Sequence, residues 1–470
     1  MRTLIVIVVA AVVVVAGAYV AAGRAEGPSV QIVSPEKFVG TATQVDVATE
    51  TPGTLVSERI DFAQNGVTTT LWEFDQKARS ASPTAPANGK TPLNVTSDVD
   101  ATGRTHTKMT IGPSTISSLK SGPARFVVMA SRSVLFGLRT VETTVTKDVQ
   151  VRLEKPAVSV LSSKHYINQG GSEMLVYRAT PEGVMSGVRV GDIEYPGFPA
   201  SGLTVEGLKI SDPAVRVVFF ALLYDQETDA PMHVFARDEA GNTAEAGFDH
   251  KTFPKKFKSS RIELPDTLLD RVVPAILAGT TEIKPEGSTL DKFLVINGEL
   301  RRKNAATIAS MAPKTSPDML WGGAVFHPFT NNKVESAFAD FRTYMYQGRE
   351  VDKQVHLGFD LASFANSPVL AANRGKVLYA DNLGIYGNCV IIDHGLGVQS
   401  LYAHLSSIGV KVGDMVEKEQ TLGRTGTTGI AGGDHLHFTM LVAGHMVNPI
   451  EWWDAHWIQD RILRKLRDLR

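Results

Sequence analysis

The hydrophobic positions change period several times along the chain. Leu4 to Ala22 is an unbroken apolar run, LIVIVVAAVVVVAGAYVAA, bounded by Arg2 and Arg24. Its length approaches the roughly 20 residues that cross a bilayer, which predicts a transmembrane anchor over residues 1–24. Ala16-Gly17-Ala18 also fits a signal-cleavage site, but the run exceeds the roughly 7–15 apolar residues of a signal peptide, so the anchor is expected to stay uncleaved. From Gly27 the pattern shifts to short alternating runs broken by Gly, Pro, Asn and Asp, as in antiparallel β-sandwiches. Residues 28–155 read as one such module: Val141, Thr143, Val145, Val149, Val151 and Leu153 share one strand face, interrupted only by Lys147. Pro156 opens a second module, 156–254, containing VSVLSS, SEMLVYRAT, VRVVFFALLYD and a hairpin turning near Gly241-Asn242.

From Pro254 apolar residues recur at three- and four-residue steps, predicting a helical segment over 255–318. Ser288 and Asp291 mark a helix start there, and Leu290, Phe293, Leu294 and Val295 offer a packing face. Short β runs return over 319–455, separated by glycine turns. The tail 456–470 places Ile458, Ile462, Leu463, Leu466 and Leu469 on one stripe of an amphipathic helix, with its basic residues elsewhere. The fold class is mainly β: an N-terminal transmembrane helix, two β-sandwich-like modules, a helical linker and a C-terminal antiparallel β-domain.

Composition adds two constraints. The 48 Lys and Arg balance 49 Asp and Glu, so nothing in the charge points to nucleic acid. Cys389 is the single cysteine, which excludes an intramolecular disulfide; in GNCVIID it reads as a small buried thiol without chemistry. His106, His165, His233 and His250 stand apart from other ligand-type residues and read as ordinary surface or core groups.

The remaining histidines crowd the last third of the chain. In QVHLGFDLAS, His356 and Asp360 flank Gly358, where a bend aims an imidazole and a carboxylate at one point. In GGDHLHFTM, His435 and His437 lie two apart, so on a strand they share a face while Leu436 enters the core. Together these motifs offer two imidazoles and one carboxylate to a metal, leaving one tetrahedral position for water, the pattern of catalytic zinc. His404 in LYAHLSS shares strand parity with Val398, Ser400 and Tyr402 and suits a proton-transfer group beside the ion. His327, His394, His445 and His456 are expected to be structural.

HxxxD, YxH and HLHF after a glycine-rich loop resemble the lysostaphin and LytM type of peptidoglycan metalloendopeptidase, over residues 321–455. The resemblance implies one Zn2+ held by His356, Asp360 and His437, with His404 and His435 as non-ligand catalytic histidines. It also implies a small antiparallel β-domain with a groove and, as substrate, the peptide cross-links of bacterial peptidoglycan. One departure stands out: the family has Ser-x-Phe-Gly-x-Arg before the first ligand, whereas this chain reads SAFADFR, with Ala339 in place of Gly and Arg342 at altered spacing.

The expected protein is a zinc endopeptidase held at the extracytoplasmic, periplasmic face of a cytoplasmic membrane. Its partners are wall peptides, the bilayer and unnamed cell-wall or division proteins. The alternative is a catalytically silent scaffold that activates other wall hydrolases. Filled ligand positions separate the two.

Overall fold

The computed structural model describes residues 2–76, 80–82, 94–327, 329 and 332–468. The chain is mainly β and forms two compact units, Met1–Pro156 with Arg237–Thr243, and Ala157–Ala236 with Ala244–Arg470. Leu469 of the expected tail stripe lies outside the described residues.

In the first unit the helix Arg2–Ala22 carries an exposed stretch, Ile5–Ala22, long and apolar enough to cross a membrane. Two sheets follow. One orders Ser29–Ser34, Thr43–Glu50, Thr105–Ile111 and Val95–Val99; the other orders Phe38–Val39, Arg139–Val151, Gly122–Val134, Leu55–Gln64, Val67–Asp75 and Ser80–Ser82. Inward positions recurring every second residue, among them Val45, Val47, Ile60, Phe62, Phe126 and Val128, make their shared core. Lys147, the polar residue on the apolar face of Arg139–Val151, donates to the Ile32 carbonyl at 3.1 Å.

The second unit is built around a ten-stranded sheet. Its main path orders Lys333–Ser336, Phe359–Ala362, Leu436–Val442, Val398–Ile408, Asn388–Gly395, Gly375–Asn382 and Met415–Val416. Period-two alternation gives this sheet two apolar faces. Leu436, Phe438, Met440 and Tyr402 join Trp321, Phe326 and Trp452 in a core that continues into Tyr177 and Phe219 of the strands Ser172–Thr180 and Val215–Ala221. Ile391, Leu401, Ala403 and Leu441 point the other way. They pack under Leu269, Val273, Phe293, Ile296 and Leu300 of the helical segment.

Ser288 caps its helix as the sequence indicates: its hydroxyl accepts from the Asp291 amide, and the Asp291 carboxylate accepts from the Ser288 amide. The stretch from Pro254 differs from the helical expectation. Ser259–Glu263 is a strand, paired in parallel with Asp340–Tyr346, and helix begins only at Asp266. The apolar spacing of RIEL fits either element, and a partner some 80 positions away decides it.

The tail also differs. Ala455–Arg467 is helical, but Ile458–Leu463 forms a wide π turn that suits the four-residue steps between buried Ile458, Ile462 and Leu466. Lys465 is buried rather than on the basic solvent face. Its ammonium donates to Glu173 Oε1 at 2.7 Å and to the Met174 carbonyl at 2.9 Å.

Candidate metal centre

Three elements bring the first motif together. His356 ends the strand Arg349–His356, the chain bends at Leu357-Gly358, and Asp360 returns on Phe359–Ala362. That strand pairs antiparallel with Leu436–Val442 in a register that sets Asp360 directly opposite His437. Side chains of such a pair project to the same face within contact distance. His437, Thr439 and Leu441 therefore share the face that, further along, lies under the helices.

The three ligand-type atoms form a nearly equilateral triangle. His356 Nε2 lies 2.9 Å from Asp360 Oδ1 and 3.0 Å from His437 Nδ1, and His437 Nδ1 lies 3.0 Å from Asp360 Oδ1. Ligands of a tetrahedral zinc ion stand about 3.3 Å apart, so a small relaxation fits the triangle to the ion. All three residues are buried or nearly so, and among the described residues they are the one group of His, Cys, Asp or Glu converging in this way. Two imidazoles and a carboxylate, with no thiolate, is a donor set suited to Zn2+ with a position left open.

The atoms behind the triangle fix its orientation. The Ala337 carbonyl, 3.2 Å from His356 Nδ1, can only accept, so Nδ1 carries the proton and Nε2 presents its lone pair. Asp360 turns Oδ2 away to accept from the Arg342 guanidinium at 3.0 Å, and the same guanidinium donates to Ser336 Oγ at 2.8 Å. Burial opposes the charge on Asp360, yet His356 and the hydrogen bonds from His435 and His437 hold its carboxyl well below the usual range. Burial lowers the His437 pKa to about 4.

Gly358 stands in the expected bend and has a second role. A Cβ there would stand 2.5 Å from His437 Cε1 and 2.6 Å from Nε2, so glycine leaves room for the second imidazole. Ala339 adopts φ 59°, the left-handed region that favours glycine, and this explains why glycine is usual at that place in the related motif. Despite the altered spacing, Arg342 still reaches the site.

His435 precedes the strand instead of lying on it, in an isolated bridge to Gly426. It donates Nδ1–H to the Gly433 carbonyl at 2.8 Å and sets Nε2 3.4 Å from Asp360 Oδ1. His404 also departs from simple strand parity. Its φ of 62° breaks the alternation within Val398–Ile408, and the ring is buried instead of emerging. Nδ1–H donates to the Thr428 carbonyl at 2.8 Å, and the ring centroid lies 4.8 Å from His435 and 5.7 Å from His437. Burial, then the neighbouring His435 and His437, lower its pKa well below the ordinary imidazole value.

Tyr386 was not foreseen. Its buried ring lies 5.6 Å from His437, on a turn where Asn304 Oδ1 accepts from the Ile385 amide at 3.0 Å. Arg271 likewise donates to the Ala431 carbonyl at 2.7 Å, tying the helical segment to the glycine loop before His435. Neither link leaves a local sequence signal. His394 is structural: Nδ1–H donates to the Arg374 carbonyl at 2.8 Å, and Nε2 lies 2.7 Å from Ser400 Oγ. Cys389 is fully buried, which pushes its thiol pKa up and leaves it inert.

Residues 354–449 match Peptidase family M23. The chain is similar to the DD-carboxypeptidase/endopeptidase Mpg of Neisseria meningitidis serogroup B, with 33% identity over 129 residues, 27% of this chain and 29% of that protein. The peptidoglycan DD-endopeptidase ShyA of Vibrio cholerae is 30% identical over 182 residues, 37% of this chain and 39% of its own length. The matches thus span well under half of these relatives. Among solved structures, the lysostaphin catalytic domain from Staphylococcus simulans aligns at 28% identity over 26% of this chain and 92% of its own, with a TM-score of 0.23.

Proposed function

We propose that this chain is a zinc metalloendopeptidase that hydrolyses peptide cross-links of bacterial peptidoglycan, with residues 319–455 as its catalytic domain. The observation that carries the reading is the triangle of His356 Nε2, Asp360 Oδ1 and His437 Nδ1, with edges of 2.9, 3.0 and 3.0 Å. The M23 match and the wall-acting names of its relatives support the substrate class. When bound, Zn2+ supplies Lewis acidity that polarises a peptide carbonyl and brings the pKa of water to about 7.

The protein's own groups do the rest. Carbonyl acceptors at Thr428 and Gly433 hold the Nδ1 protons of His404 and His435, so both rings present Nε2 to the substrate side. His404 Nε2 takes the proton of the attacking water and returns one to the leaving amine. His435 Nε2, beside Asp360, donates to the oxygen of the tetrahedral intermediate. The helix at residues 2–22 holds the enzyme at the extracytoplasmic face of the cytoplasmic membrane. The β-modules at 28–155 and 156–254 space it from the bilayer, and 255–318 and 456–470 buttress the domain.

The test is digestion of purified wall sacculi by the zinc-loaded full chain, with mass spectrometry of the soluble products. Fragments cut at a peptide bond, and absent with His404→Ala, are expected. Stoichiometric zinc with no cleavage product would favour the scaffold reading.

A further inference from the structure

Within the first unit, the longest hairpin ends in a turn whose outer residues stand exposed. Strands Gly122–Val134 and Arg139–Val151 pair as far as Val134 opposite Arg139, whereas the neighbouring strand ends at Leu55 opposite Arg132. The tip Leu135-Phe136-Gly137-Leu138 therefore projects past the sheet. Phe136 is fully exposed, and Leu138 is 71% exposed. Leu135 and Phe136 both hold left-handed backbone, φ 51° and 55°, before Gly137 at 89°. Two bulky residues in that region are strained; Leu135 is half-buried, whereas nothing in the protein buries Phe136.

The tip's surroundings identify what covers it. The turn lies beside the apolar helix. Arg139 donates to the Tyr19 carbonyl at 2.6 Å and stacks 4.7 Å over the Tyr19 ring, while Arg132 donates to the Glu26 carbonyl at 2.6 Å. The exposed apolar tip is thus continuous with the exposed apolar span, at the end where the helix leaves it. Tyr19, Arg132 and Arg139 ring this junction. An aromatic ring and basic side chains at that depth match the headgroup layer of an anionic bilayer.

We propose that the Leu135–Leu138 tip inserts into the outer leaflet beside the transmembrane helix, giving this unit a second membrane contact. Phe136 and Leu138 enter the acyl boundary, and the arginines face lipid phosphates. One helix alone leaves rotation about its axis free; a second contact beside it fixes the tilt and rotation of the unit on the membrane. The inference rests on the anchor reading under Proposed function.

The test uses the full chain in phosphatidylethanolamine and phosphatidylglycerol vesicles, with single cysteines spin-labelled and their collision rates with oxygen and an aqueous nickel chelate compared. Cys389 is buried and stays unlabelled. Phe136→Cys is compared with Val13→Cys in the span and Asn65→Cys at the opposite end of the same sheet, roughly 30 Å away by strand length. The expected oxygen-to-nickel ratio at 136 lies below that at 13, in mid-span, and well above that at 65. A label in lipid at 13 and in water at 136 overturns the inference while leaving the anchor. Labels in water at both positions overturn the anchor and the inference with it.

Discussion

At the scale of single residues, the site divides into groups that hold metal and groups that do not. His356→Ala, Asp360→Ala and His437→Ala each leave two ligands, which seldom hold zinc tightly, so each variant should purify metal-free by elemental analysis. His404→Ala should retain zinc and lose about 10²–10⁴ in rate, the usual worth of proton transfer. Loss of zinc from His404→Ala would contradict the division. Arg342 acts through Asp360, whose second oxygen it holds at 3.0 Å. Arg342→Gln should weaken zinc binding roughly 10–100-fold in competition with a chelator, as loss of a ligand's supporting hydrogen bond does elsewhere. Unchanged affinity would assign Arg342 to packing alone. Ala339 is buried at φ 59°, so Ala339→Gly should raise stability by up to about 1 kcal/mol and shift the melting midpoint upward.

At the scale of elements, the motif residues were legible because they are local. Two histidines two apart, and a histidine four before an aspartate across a glycine, are close in the chain, and the register that sets Asp360 opposite His437 joins the two motifs. Arg342 with Asp360, Tyr386 with His437 and Arg271 with Ala431 depend on register between distant elements, which residue spacing does not encode. For the same reason the Ser259–Glu263 strand reads as helix: its parallel partner begins at Phe341. The helices themselves were visible in their three- and four-residue apolar steps, and what they cover was not. Phe293 is fully buried against Tyr344, within the core that includes Ile391, Leu401 and Leu441. Phe293→Ala should cost about 3–5 kcal/mol in denaturant unfolding, as buried aromatic truncations do. A cost near zero would leave the segment a loosely attached spacer.

Glu451 belongs to the same scale, because it ties the turn before Trp452 to the start of Ser172–Thr180. Its Oε2 accepts from the Ser172 amide at 2.7 Å, and Oε1 accepts from Asn168 at 2.9 Å. Burial pushes its pKa up to about 7. A carboxyl whose folded pKa is raised stabilises fully below its unfolded value, near 4.3, and that stability is lost as pH rises through about 7. Between pH 5 and 8 the wild type should lose on the order of 3 kcal/mol from this group. Glu451→Gln should flatten that slope, read as the melting midpoint against pH, while an unaltered slope would place the titration elsewhere.

At the scale of the molecule, the mainly β class and the apolar N-terminal helix were visible in composition and periodicity. The continuity of one core from Tyr177 through Trp452 to Phe438 was not, since it depends on how sheets from separate stretches stack. If residues 2–22 remain attached, the full chain should stay in the membrane fraction after carbonate washing, because a span of about 20 apolar residues inserts nearly irreversibly. A soluble form beginning near Tyr19 by intact mass would instead mark cleavage.

The central claim is that a zinc ion at His356, Asp360 and His437 makes this chain a peptidase acting on wall peptides. The most direct measurement is cleavage of a purified cross-linked wall peptide by the full chain, before chelation, after it, and after return of zinc. The account predicts peptide-bond cleavage that disappears with the metal and returns at one zinc per chain. A folded, zinc-replete protein that leaves the cross-link intact would contradict it.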